Sequence, residues 1–138
     1  MTNKKYKILL VDDERDILSI IKHGLENEGS FEVDAFHDPE KALSQFKPGK
    51  YDLLLLDIRM PKMNGFKLYR ELRKLDENTK ICFITAFEIY YDEFRKMFPK
   101  VRVDCFVHKP IRLEQLAKTI REEIELKQQM ELAKERTI

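Results

Sequence analysis

The chain has 138 residues, 43% hydrophobic and 37% charged, which suits one domain with a single core and a heavily ionised surface. Lysine plus arginine number 26 against 25 acids, so no global field draws the chain to nucleic acid or a membrane surface. The longest apolar run falls far short of the ~20 residues a membrane helix needs, and no signal-like segment precedes Tyr6, so a cytoplasmic location is expected.

Tyr6–Val11 reads as a buried strand, followed by a helix over Arg15–Glu28 with Ile17, Ile20, Ile21 and Leu25 on one face. Phe31–Phe36 alternates apolar and acidic residues, as a strand near the sheet edge would. Asp38 and Pro39 supply an N-cap and first-turn proline for a helix through Phe46. Tyr51–Leu56, the most apolar run, belongs at the sheet centre. A loop over Asp57–Met63 then leads through Asn64-Gly65 into a helix ending near Leu75.

Lys80–Ile84 forms a fourth strand, and Phe87–Phe98 a fourth helix stopped by Pro99. Val101–Val107 is the fifth strand, and the last helix begins near Ile111, after Pro110. This alternation implies crossover connections and a doubly wound α/β sheet of parallel strands in the order 2-1-3-4-5. Cys82 and Cys105 both fall in buried strands and are expected as reduced core thiols, since a zinc site or disulfide framework would need more ligands.

Such a sheet gathers the carboxyl ends of its strands along one edge, where ligands bind. Asp12-Asp13, Asp57, Thr85 and Lys109 each end an apolar run and should converge there. Taken singly, each has an ordinary explanation: a helix cap, a loop acid, a strand-end threonine, a solvated lysine. Taken together, three carboxylates would repel one another unless a cation neutralised them, and hard oxygen ligands point to Mg²⁺. A carboxylate beside such a cation can act as nucleophile toward phosphorus, the cation screening the incoming charge. The hydroxyl of Thr85 and the ammonium of Lys109 can then contact phosphoryl oxygens.

The runs Leu9-Leu10-Val11-Asp12-Asp13-Glu14, Asp57-Ile58-Arg59-Met60-Pro61-Lys62-Met63-Asn64-Gly65, Thr85-Ala86 and Lys109-Pro110 occur in a characteristic order and separation. In these the chain resembles the receiver domain of two-component response regulators, over about residues 5 to 126. The resemblance implies a flavodoxin-like fold, Asp57 as phosphoryl acceptor, and Asp12, Asp13 and the Arg59 carbonyl, with Asp57, around Mg²⁺. It implies that Thr85 and Lys109 contact the phosphoryl group and that Phe106 occupies the aromatic switch position. The donor would be a phosphohistidine on a sensor histidine kinase or phosphotransfer protein. The partner downstream would be another protein, or a second copy in a homodimer.

A switch of this kind has a simple physical basis. A new dianion at Asp57 draws Thr85 inward, and the ring of Phe106 can turn to fill the vacated space. Residues 1–126 are thus expected to be the receiver domain and 127–138 a helical extension or linker. Arg59 and Phe87 lie two positions beyond Asp57 and Thr85, positions that the resemblance places beside the phosphoryl group, so a long cation and a large ring there are expected to hinder an attacking water and slow the loss of phosphate. The stretch from Thr85 to Lys109 is longer than the family pattern and lacks its Gly-Ala turn, with Phe98-Pro99-Lys100-Val101 standing there instead.

Phe87, Tyr90, Tyr91, Phe94 and Phe98 share one face of the fourth helix, while Ile89 lies opposite as an interaction point. The resemblance implies that contacts switch through this region: the fourth helix, the fifth strand and the last helix. In that last helix Leu113, Leu116, Ala117, Ile120 and Ile124 form a docking stripe, and Leu126, Met130 and Ala133 a second, rotated one. Over Ile111–Glu135 it would reach roughly 37 Å against roughly 17–20 Å for a strand, leaving a segment for a coiled coil, a linker or a solvated tail. A Mg²⁺-dependent aspartyl-phosphate phosphatase is a competing reading, but such enzymes need a second acid where this chain has Arg59. A pseudo-receiver is disfavoured by the complete acid, threonine and lysine set, and His23, His37 and His108 have no ligand spacing.

Overall fold

Strand β1 (Tyr6–Val11) lies between β2 (Phe31–Phe36) and β3 (Leu53–Asp57), and β4 (Lys80–Thr85) and β5 (Phe106–His108) extend the sheet beyond β3. Every pairing is parallel, in the order β2-β1-β3-β4-β5. The computed structural model describes residues 4–86, 92, 95, 96 and 105–136. The readings made for Phe87, Ile89, Tyr90, Tyr91, Phe94 and Phe98 lie outside these residues, as does the start of the expected fifth strand.

Because helices cover both faces, β3 is buried throughout, which is why Leu53–Leu56 is unbroken leucine rather than alternating. Its side chains still divide by the two-residue period of a strand. Leu54 and Leu56, with Leu9, Val11, Ile81 and Phe83, pack with Ala42 of α2 (Pro39–Gln45) and with Phe66, Tyr69 and Leu72 of α3 (Gly65–Leu75). Leu53 and Leu55, with Ile8, Leu10, Cys82 and Ile84, pack with Ile21 and Leu25 of α1 (Arg15–Glu28) and Leu116, Ile120 and Ile124 of the C-terminal helix, Leu113–Arg136. The starts of α2 and α3 behave as their sequences dictate. Asp38 accepts a hydrogen bond from Glu40 N at 3.0 Å, and Asn64 accepts one from Lys67 N at 2.9 Å.

Two expectations need correction. Ile20 is 58% exposed, whereas Ile21 and Leu25 are buried. Neighbouring helical residues point 100° apart, so the stripe centred on Ile21 and Leu25 leaves Ile20 outside it. Gly24 lies on the helix face turned to the C-terminal helix. A Cβ there would sit 2.5 Å from a Leu113 methyl, so its absence allows the two helices to approach closely.

The second correction concerns the cysteines, which form a disulfide rather than reduced thiols. Both are buried, as expected. What decides their pairing is register: Phe83 faces Phe106, so the preceding residues Cys82 and Cys105 face each other across β4 and β5, with Cα atoms 4.6 Å apart. A single bridge between register neighbours needs no framework of further cysteines.

The C-terminal helix has 24 residues, so it runs about 36 Å. Its first stripe is docked, whereas Leu126 and Met130 of the second are exposed, and Leu132 with them. No described helix is long and apolar enough to cross a membrane.

Candidate functional site

Asp12 and Asp13 follow β1, Asp57 ends β3, Thr85 ends β4 and Lys109 follows β5. The parallel sheet brings these ends to one edge. Asp12, Asp13 and Asp57 each offer a carboxylate oxygen within 4.8 Å of the other two. Lys109 Nζ lies 3.4 Å from Asp12 Oδ2 and 3.6 Å from Asp57 Oδ2. Thr85 is buried, and its carbonyl accepts a hydrogen bond from Lys109 N at 2.8 Å, which couples β4 to the start of the Lys109 loop. The Lys109–Pro110 peptide bond is cis.

Arg59, expected to contribute through its backbone carbonyl, is in the loop beyond Asp57, and its side chain is exposed. Phe106 stands lower on β5, half-buried against Phe83 with ring centroids 5.7 Å apart, on the side of α2 and α3. Among the histidines, His37 Nε2 lies 3.1 Å from an Arg15 nitrogen, His23 Nδ1 lies 3.3 Å from Ser19 Oγ, and His108 is exposed. None joins the acid cluster.

Burial, and then the charge of Asp12, push the Asp57 carboxyl up to about 8, with Lys109 offsetting only part of this. Asp12 is raised as well, by burial, although the Glu14 N–H donating to its Oδ1 at 2.9 Å and the nearby Lys109 oppose the shift. Its other oxygen, Oδ2, is buried with no hydrogen-bond partner among the described residues. Burial would lower the Lys109 ammonium, but Glu14, Asp12 and Asp57 outweigh it and raise the group. The site therefore confines more negative charge than one lysine neutralises. A buried carboxylate oxygen with no hydrogen bond, held only by an ion pair to Lys109 and set among three acids, belongs to a donor set that a hard divalent cation would satisfy.

Two residues with structural bearing on the site carried no role in the sequence reading. A Cβ at Gly65 would lie 2.3 Å from the Asp57 carbonyl oxygen, so the loop after β3 folds back on the first turn of α3 only because that Cβ is absent. Gly65 N donates to Ile58 O at 2.9 Å, and Ile58 N to Ile84 O at 3.0 Å, which fixes the chain leaving Asp57. The Asn64-Gly65 pair was legible as a helix start, but not as a backbone contact with the acceptor. Glu14 is the second: its Oε1 is 2.7 Å from Lys109 Nζ, closer than either buried acid. No local pattern signals a contact spanning that much sequence.

An acidic cluster at the switch point of a doubly wound sheet places the chain among the α/β proteins whose ligands bind beyond the strand ends. Residues 8–121 match the family model described as response regulator receiver domain. The chain belongs to that family. It is 34% identical over 132 residues to the cyclic di-GMP phosphodiesterase response regulator RpfG of Xanthomonas campestris, covering 95% of this chain and 35% of that protein. It is 39% identical over 115 residues to the transcriptional regulatory protein CpxR of Klebsiella pneumoniae, covering 83% of this chain and 47% of CpxR.

Among solved structures, a CheY-like receiver domain protein from Methanospirillum hungatei superposes with a TM-score of 0.79 at 26% identity, over 92% of this chain and 99% of that one. The response regulator TrrA of Thermotoga maritima, solved in complex with Mg(2+)-BeF, superposes with a TM-score of 0.71 at 34% identity, over 85% of this chain and 97% of that one. The fold is accordingly flavodoxin-like and the chain a two-component signalling domain. It spans about a third to a half of the length of the curated relatives it matches.

Proposed function

We propose that Asp57 accepts a phosphoryl group from a phosphohistidine on a sensor kinase or phosphotransfer protein, and that this chain is a signalling switch rather than a metabolic enzyme. The observation that carries the reading is the Asp57 carboxyl itself: buried, ending β3 and within 4.8 Å of two further acids. Asp12, Asp13 and Asp57, with the Arg59 carbonyl, would hold Mg²⁺. The buried Asp12 Oδ2, which has no hydrogen bond among the described residues, supports that fit. When bound, the ion would neutralise the acids and screen the charge of the incoming phosphoryl group.

The chain's own groups do the rest. An Asp57 oxygen forms the new P–O bond as the P–N bond to the donor imidazole breaks. Lys109 is close enough to move from the carboxylates to a phosphoryl oxygen, and the Thr85 hydroxyl can donate to another. The 2.8 Å hydrogen bond between Thr85 O and Lys109 N makes these two move together. Phe106, half-buried against Phe83, is the ring that would turn inward, carrying the change towards β5 and the C-terminal helix.

Residues 1–126 act as the receiver domain, and 127–138 as a helical extension or linker to a partner, a second copy or an output segment. The reading places the protein in the cytoplasm, with protein partners and no direct contact with nucleic acid. Incubation with acetyl phosphate and Mg²⁺, followed by intact mass and sizing chromatography, tests it. One added phosphoryl group on the wild type and none on Asp57→Asn is expected. Equal labelling of both, or of neither, contradicts the reading, and a size shift on labelling would identify dimerisation as the output.

A further inference from the structure

We infer that Glu14 is a positioning residue, which holds the Lys109 ammonium off the acceptor carboxylate in the resting state and releases it when phosphoryl oxygens arrive. The inference rests on the proposed role of Asp57 only for the release. Lys109 Nζ is 2.7 Å from Glu14 Oε1, against 3.4 Å from Asp12 and 3.6 Å from Asp57. The ammonium therefore makes its hydrogen bond to the outermost acid and only looser ion pairs to the two inner ones.

The position of Glu14 supports the same assignment. It is the N-cap residue of α1, yet its side chain makes no capping hydrogen bond. Asp, Asn, Ser or Thr would serve a cap better, because their short side chains reach back to the first turn. The longer carboxylate instead crosses to the loop after β5. Its backbone contributes separately: Glu14 N donates to Asp12 Oδ1 at 2.9 Å. One residue thus fixes one oxygen of a candidate metal ligand while drawing the lysine outward, and Asp12 Oδ2 is left without a hydrogen bond.

The arrangement is graded in solvent exposure. The Glu14 side chain is 56% exposed, Lys109 14% and Asp57 5%. A half-solvated partner releases the ammonium at small cost, because water replaces it readily. A phosphoryl group at Asp57 offers deeper oxygens of higher charge. Glu14 therefore competes with the phosphoryl group for Lys109, and in the resting state it leaves the inner acids to the cation.

A double-mutant cycle on the full chain tests this, with Mg²⁺ affinity measured by calorimetry on wild type, Glu14→Gln, Lys109→Met and the double variant. Glu14→Gln is expected to weaken Mg²⁺ binding by about two- to fivefold, the range of a largely exposed ion pair, because the freed lysine turns onto Asp12 and Asp57. In the Lys109→Met background the same change should have no effect. Equal weakening in both backgrounds would make Glu14 a plain through-space charge and overturn the inference, as would no weakening in either.

Lys109→Gln takes the place of Lys109→Met if the latter does not unfold cooperatively. With Mg²⁺ saturating, Glu14→Gln should bind the phosphoryl mimic beryllofluoride more tightly by a similar factor. Unchanged or weaker binding overturns the release. If the wild type takes no Asp57-dependent label from acetyl phosphate, the acceptor reading fails by itself, while the Mg²⁺ cycle still decides how Lys109 is held.

Discussion

Asp34 and Asp57 are the same residue type on strands of one sheet, and the protein shifts them in opposite directions. Asp34, on β2, accepts a hydrogen bond from the Tyr51 hydroxyl at 2.7 Å and pairs with Lys50 at 3.0 Å. Burial works against its charged form, but Tyr51 and Lys50 outweigh burial and lower the group. Asp57, on β3, is more deeply buried, faces Asp12, and shares the Lys109 ammonium with Asp12 and Glu14, so it rises to about 8. A carboxylate with dedicated donors is structural and content. One that is confined among like charges is unstable as it stands, and a cation or a phosphoryl ester relieves it.

Several perturbations would break or sharpen this contrast. The largest effect should come from Gly65→Ala, because the added Cβ meets rigid backbone at the Asp57 carbonyl. We expect a loss on the order of 2–4 kcal/mol in denaturant unfolding, together with impaired labelling from acetyl phosphate. A variant as stable and as readily labelled as the wild type would mean that the loop after β3 is not fixed by this contact.

Next comes the pH dependence of the metal-free protein. With the folded Asp57 raised to about 8 and an unfolded aspartate near ~3.9, the folded state binds the extra proton between those values. Stability should therefore fall as pH rises through that window and level off above it. Asp57→Asn should flatten the fall and gain on the order of 1–3 kcal/mol at pH 8, whereas Mg²⁺ should restore the wild type. A wild-type profile that rises over the same window would contradict the assigned shift.

Asp34→Asn should do far less. Its partly exposed pair with Lys50 is worth within about 1 kcal/mol, present above the unfolded value and lost as pH falls below it. The smallest expected effect belongs to Arg59→Asn, which should shorten the phosphoryl lifetime a fewfold without changing the extent of labelling. An unchanged lifetime would remove Arg59 from any role in slowing hydrolysis.

What could be read from the sequence follows a physical division. The strands were legible because each is a short apolar run or, in β2, a period-two alternation between breakers, and the parallel order follows from their alternation with helices. Asp12, Asp13, Asp57, Thr85 and Lys109 were legible because strand ends in such a sheet must share an edge. Contacts set by register or by reach were not. Cys82 and Cys105 were correctly buried, but their bond depends on which residues of β4 and β5 stand opposite. Gly65 looked like a helix start, and its near contact with the Asp57 carbonyl arises only when the loop folds back. Glu14 was one letter of an acidic run, and its tie to Lys109 exists only in three dimensions. Ile20 shows the reverse error, where a hydrophobic residue was assigned to a stripe whose centre lies elsewhere.

The most direct test of the account is to find where the phosphoryl group goes. A phosphohistidine donor with Mg²⁺, followed by trapping of the acyl phosphate and peptide mapping by mass spectrometry, distinguishes the two aspartates in one measurement. The account predicts a single phosphoryl increment on the peptide containing Asp57, absent after chelation of Mg²⁺, and none on the peptide containing Asp34. Label on Asp12, Asp13 or Asp34, or label on Asp57 that is indifferent to Mg²⁺, would contradict it.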